Sequence, residues 1–259
     1  MKRIRVLRKW TIIALTISGA AIATPAWADI GELKVYSPLI ETGVLEFEYR
    51  GARTFDSDPA KNDAEAQKFS LGYGLTDWWF FEAYGEWAKD PGGTTHFDGT
   101  EWESVFQLTE PGEYWANFGL LAEYERVQNR KTDSDEIDIG PLIERDFGPV
   151  TADLNLMFSR QIGPHISERG VGFNFRLQAR WRLMPEFQPG FEAFGDLGPV
   201  GALNPLREQQ HLVGPAFQGR FTLGSLPGNL QYNIGYLFGL TNASPGGVLK
   251  FILEYELPL

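Results

Sequence analysis

The sequence predicts an all-β chain folded as a transmembrane antiparallel up-and-down β-barrel of about twelve strands. Three observations carry that expectation. The first is the stretch 170–183, GVGFNFRLQARWRL, which separates on alternate reading into two chemically opposite sets. Val171, Phe173, Phe175, Leu177, Ala179, Trp181 and Leu183 make one set, and Gly172, Asn174, Arg176, Gln178, Arg180 and Arg182 the other. A period of two belongs to a strand, whose successive side chains point to opposite sides of the sheet. The second is that segments of this kind, each roughly ten residues long, recur between turns along the chain, which is the cumulative signature of a membrane barrel. The third is an export signal at the N-terminus with no later run apolar enough to cross as a helix, so any later crossing is made by strands.

The export signal has the three expected parts. Lys2, Arg3, Arg5, Arg8 and Lys9 form a basic region, residues 10–22 an apolar one, and Ala26-Trp27-Ala28 a small-x-small cleavage site. Residues 1–28 are therefore read as a cleaved signal peptide, and the apolar run is short of the roughly 20 residues a spanning helix needs. With the leader gone, 18 Lys and Arg face 34 Asp and Glu, a net charge near −16. Such a surface repels phosphate backbones and argues against nucleic acid as a partner. The absence of cysteine rules out disulfides, and only His96, His165 and His211 are present, so neither a zinc site nor a cofactor is expected. The remaining length suits one domain. Residues 29–42 read as an N-terminal segment on the periplasmic side, and 43–259 as the barrel.

The strands follow in order. The first, 43–50, sets Leu45, Phe47 and Tyr49 against Glu46, Glu48 and Arg50. The second, 67–75, turns through Thr76-Asp77 into the third, 78–87, where Phe81, Ala83 and Trp87 oppose Glu82, Tyr84 and Glu86. The fourth, 100–108, alternates Trp102, Phe106 and Leu108 with Glu101, Glu103 and Gln107, and Pro111-Gly112 leads to the fifth, 113–125, which carries Glu123 and Glu125. The sixth, 136–144, has Ile137, Ile139 and Ile143 opposite Glu136, Asp138 and Glu144; Gly148-Pro149 joins it to the seventh, 150–159. The eighth is 170–183 and the ninth 186–194. The tenth, 211–223, carries Arg220, and the last two are 230–238 and 248–257. Boundaries leave ten or fourteen strands open. The connections are expected to alternate between long polar loops and tight turns, the outer-membrane pattern. Trp79, Tyr114 and Trp181 fall at one rim, and Trp87, Trp102 and Tyr124 at the other, as interfacial anchoring requires.

Charge decides which face meets lipid. An Arg or Lys facing hydrocarbon at mid-depth costs about 2–4 kcal/mol, so the charged sets must face inward. Glu46, Glu48, Glu82, Glu86, Glu123, Glu136 and Asp138 then form an acidic wall, opposite a ladder of Arg176, Arg180, Arg182 and Arg220. Opposed charge of this kind sets pore selectivity. The expected function is a narrow channel or passive transporter for small solutes in the outer membrane, with lipid and the barrel-assembly machinery as further partners. Two alternatives stay open. Twelve strands lie between side-chain-filled and open barrels, so a closed structural barrel is one. The other is a lipid hydrolase using His165 and Ser167, an H-x-S pair like that of outer-membrane phospholipases and lipid A deacylases. That chemistry needs a third residue orienting the His; Ala179 stands where those families place it, leaving Asn174 as the nearest candidate.

Residues 69–81, FSLGYGLTDWWFF, resemble the strand–GLTD–strand hairpin of the phenol-degradation meta-pathway (MetA-like) outer-membrane family. The resemblance covers those thirteen residues and implies a small outer-membrane transporter of poorly defined substrate. The final Leu257-Pro258-Leu259 departs from the terminal Phe common in such barrels.

Overall fold

The computed structural model describes residues 30–129, 132–167, 170–224 and 226–259. The signal peptide read at 1–28 lies outside the described residues. After a 3₁₀ turn at Ile30–Glu32, twelve strands run in chain order: β1 Val44–Phe55, β2 Glu65–Gly74, β3 Trp79–Lys89, β4 His96–Gln107, β5 Asn117–Val127 and β6 Asp135–Phe147. They continue with β7 Val150–Ile162, β8 Gly172–Trp181, β9 Gln188–Pro199, β10 Gln210–Thr222, β11 Asn229–Gly239 and β12 Gly247–Pro258. Each strand pairs antiparallel with its chain neighbours, and β1 closes on β12 from Val44↔Pro258 to Phe55↔Gly247. Closure leaves no strand with an unpaired edge, the condition for placing sheet backbone in hydrocarbon.

The strands overrun several of the expected boundaries. Arg53, Thr54 and Phe55 continue β1, and His96–Gly99 begin β4. The loops on one rim thereby shrink to 56–64, 90–95, 128–134, 163–171, 200–209 and 240–246. The opposite rim carries 75–78, 108–116, 148–149, 182–187 and 223–228. The contrast in length is smaller than the sequence suggested, because polar strand ends kept pairing where alternation faded. The shortest link, Gly148-Pro149, needs its glycine at φ 61°, a left-handed position that a side chain resists. The chain enters and leaves the barrel at this tight-turn rim, where the Leu259 amide donates to the Gly43 carbonyl at 2.9 Å.

Alternation sorts the side chains as the charges demand. Phe47, Phe69, Leu71, Ile137, Ile139, Phe191, Phe217, Ile234 and Leu249 stand exposed on the outside. Glu48, Arg50, Lys68, Glu82, Glu101, Glu103, Glu123, Arg176, Glu192 and Lys250 are buried on the inside. Trp79 and Trp181 begin β3 and end β8 at the tight-turn rim, and Tyr114 lies in the 108–116 turn beside them. Trp102, expected at the far rim, sits instead midway along β4, stacked on Tyr124.

At the loop rim two connections are tied together. Asp56 accepts from the amides of Asp58 at 2.8 Å and Gly246 at 2.7 Å. Those backbone donors hold its carboxyl below the usual range.

Candidate functional site: the occupied lumen

Residues 30–42 belong to no strand, and the barrel's inward face surrounds them. They run inside it, from Ile30 in the loop-rim half down to Gly43 at the tight-turn rim. Two apolar layers seat the segment. Ile30 and Leu33 pack with Ala52, Ala66, Phe194, Leu212, Leu237 and Val248; lower down, Tyr36 and Ile40 pack with Val105, Leu121, Leu142 and Met157. A purely water-filled lumen has no use for inward-facing Leu121, Leu142, Met157 and Leu237, all without solvent exposure. Their signal was in the sequence as breaks in alternation, in the adjacent apolar pairs Leu120-Leu121, Leu142-Ile143, Leu156-Met157 and Leu237-Phe238. Each such pair gives one residue to the lipid side and one to the inside.

Beside and below the apolar layers the contacts are polar. Asn155, fully buried on β7, accepts from the Tyr36 amide at 2.8 Å and donates to the Tyr36 carbonyl at 2.9 Å. One side chain thus satisfies both main-chain groups of a residue that belongs to no strand, as a ladder partner would. The Tyr36 hydroxyl donates to Glu103 at 2.7 Å and accepts from Arg50 at 3.2 Å. Arg50 also donates to the Gly31 carbonyl at 3.1 Å. Ser37 donates to Glu144 at 2.8 Å, and the Ile40 amide to Gln107 at 2.9 Å. The segment presses closely on the wall at Gly119, where a Cβ would stand 2.7 Å from Pro38.

The charged residues singled out from the sequence fall into three groups, with Arg182 apart from them. Glu48, Glu82, Glu86, Glu123 and Arg176 are buried at mid-height. There Arg176 reaches Glu32 at 3.0 Å and Glu123 at 3.4 Å, while Lys68 pairs with Glu32 and lies 2.7 Å from both Glu86 and Glu101. Glu32 of the inserted segment therefore links the acidic wall's lysine to the arginine on the other side. Lys34 pairs with Glu48 and with Glu254 at 3.0 Å, and Glu82 accepts from Tyr84 at 2.6 Å. Glu46, Arg180 and Arg220 line a cavity nearer the tight turns. Arg182 stands outside these groups, just past β8, donating to the Gly148 carbonyl at 2.6 Å and pairing with Asp146. Glu136 and Asp138 are half-buried toward the loop rim, Asp138 accepting from Ser159.

Glu101, Glu103 and Glu123 each bring a carboxylate oxygen within 4.8 Å of the others, a spacing that oxygen-seeking cations accept. Lys68 and Arg176 already stand against two of the three. The hydrolase residues do not assemble. Ser167 donates its hydroxyl to Gln161 at 3.1 Å, His165 is exposed in a left-handed turn at φ 65°, and Asn174 donates to Ser159.

A closed twelve-strand barrel, apolar outside and charged inside, is the architecture of an outer-membrane β-barrel. Among solved structures the chain is similar to an outer membrane channel from Pseudomonas putida F1: TM-score 0.58 at 13% identity, over 88% of this chain and 98% of that one. A bacterial polysaccharide outer membrane secretin aligns over 85% of this chain and 99% of its own, with TM-score 0.42 and 9% identity. No family model matches the sequence, and no curated protein does.

Proposed function

We propose that the chain is an outer-membrane channel or passive transporter for small solutes, whose charged lumen is restricted by its own N-terminal segment. The observation that carries this reading is the inward face itself. Ionisable groups from nearly every strand, Arg176 and Glu123 among them, are buried there although a closed barrel could have been filled with apolar side chains. The excess of carboxylates over basic groups favours cations, with Arg176, Arg180 and Arg220 as the local anion-holding groups and Glu46, Glu48, Glu82, Glu86, Glu123, Glu136 and Asp138 as the acidic wall. The hairpin of β2 and β3, with its Gly-Leu-Thr-Asp turn, supports a kinship with the meta-pathway transporters. The fit of segment 30–42 favours the second reading, a barrel closed at rest.

Planar-bilayer recording tests both. Purified, folded protein is expected to give small, discrete conductance steps, and a reversal potential in a salt gradient shifted toward that of the cation. Complete electrical silence, from protein shown to be folded by its heat-modifiable gel mobility, would leave only the closed structural barrel.

A further inference from the structure

A cavity of about 340 Å³ lies between the inserted segment and the wall, in the half of the barrel nearer the tight turns. Six carboxylates line it, on Glu41, Glu46, Glu103, Asp153, Glu254 and Glu256, against three basic groups. Two of those basic groups are already paired, chiefly with carboxylates that themselves line the cavity. Lys34 pairs with Glu48 and Glu254, and Arg220 with Glu41 at 2.9 Å and Glu256 at 2.5 Å. The third, Arg180, stands 3.7 Å from Asp153 and 3.8 Å from Glu144, beyond hydrogen-bond length.

The hydrogen-bond census of this cavity has one sign. Glu103 Oε1, both carboxylate oxygens of Asp153 and Asn233 Oδ1 are buried and accept no hydrogen bond from the described residues. All four are acceptors. A buried acceptor left unsatisfied is unfavourable, and what would satisfy these is a donor. They come from β4, β7 and β11, spaced around the ring of strands, so the donor must be reached from three sides. Phe80 also lines the cavity, whereas the Tyr36 ring is already faced by Lys34, Arg50 and Arg176.

We propose that this cavity is a seat for a small aliphatic ammonium, a solute that brings positive charge and N–H donors to Asp153, Glu103 and Asn233. The inference deepens the transport reading by naming a solute class, but its test does not need current. Calorimetric titration of the folded full chain in detergent with putrescine is expected to show saturable binding. Tetramethylammonium, charged but without N–H donors, and 1,4-butanediol, of matched length but neutral, are expected to bind far more weakly. Asp153→Asn and Glu103→Gln, each checked for folding by heat-modifiable mobility, are expected to weaken putrescine about tenfold or more, the loss of one charge-assisted hydrogen bond. Asp90→Asn, on an outer loop, is expected to leave it unchanged. No heat with putrescine would mean that water or protons alone satisfy the acceptors, and would overturn the proposal. Equal binding of all three solutes, or equal weakening by Asp90→Asn, would overturn it too, by reducing the effect to bulk charge. Saturable putrescine binding by a barrel that passes no current would uphold the seat and sink only conduction.

Discussion

Asn155 shows how much of the lumen's arrangement can rest on a single side chain. It has no access to water, and its amide makes two hydrogen bonds, one in each direction, to the main chain of Tyr36. Removing it leaves a buried N–H and a buried C=O without partners, a loss of about 1–3 kcal/mol for each unsatisfied group. The barrel ladder does not use this side chain, so the penalty falls on docking of the inserted segment. Asn155→Ala is therefore expected to keep a folded barrel yet expose residues 30–42. A cysteine placed at Ser37 would react with a water-soluble maleimide at least several-fold faster in the Asn155→Ala background. Equal labelling rates would show that the apolar layers hold the segment alone.

At the level of elements, strands and turns were legible because period-two alternation is a local property and barrel pairing follows chain order. The opposed sets in β8, the Gly-Pro turn after β6 and the acidic faces of β1, β3 and β4 needed nothing beyond neighbouring residues to be read. The inserted segment did not share that property. Leu33 and Val35 alternate with Glu32, Lys34 and Tyr36 much as a short strand would, and what they face is decided by residues from 14 to 220 positions away. The clue was displaced onto the wall, in the inward apolar residues that a water-filled lumen would lack. Gly119 carries the same information in another form. Any side chain there meets Pro38, so Gly119→Val is expected to push the segment from its lower layer while β5 keeps its pairing with β4 and β6. Single-channel conductance is expected to rise by about the same factor as in a chain lacking residues 30–40. A rise in the deletion without one in Gly119→Val would place the restriction higher, at Ile30 and Leu33.

For the molecule as a whole, the question is whether the barrel needs its filling. The chain has no cysteine, so no covalent staple holds the cylinder. Closure is made by the β1–β12 ladder and by hydrogen bonds around the ring, all independent of the segment. In a bilayer these bonds cannot be exchanged for water, which makes the closed sheet stable on its own terms. The segment contributes differently: Glu32 and Lys34 bring charges of both signs to an interior with surplus carboxylates, and Ile30, Leu33, Tyr36 and Ile40 cover apolar wall. Deleting 30–40 is thus expected to leave folded mobility intact and to raise conductance several-fold. It also removes Glu32 and Lys34 together, one charge of each sign, so the acidic excess of the wall is unchanged and the widened lumen is expected to keep its cation preference. Measured in a tenfold potassium chloride gradient, the reversal potential is expected to stay on the potassium side in the deletion as in the full chain. A larger current with that preference lost would mean that ions take a path the acidic wall does not line. A chain that fails to fold without the segment would instead make residues 30–40 part of the barrel's core.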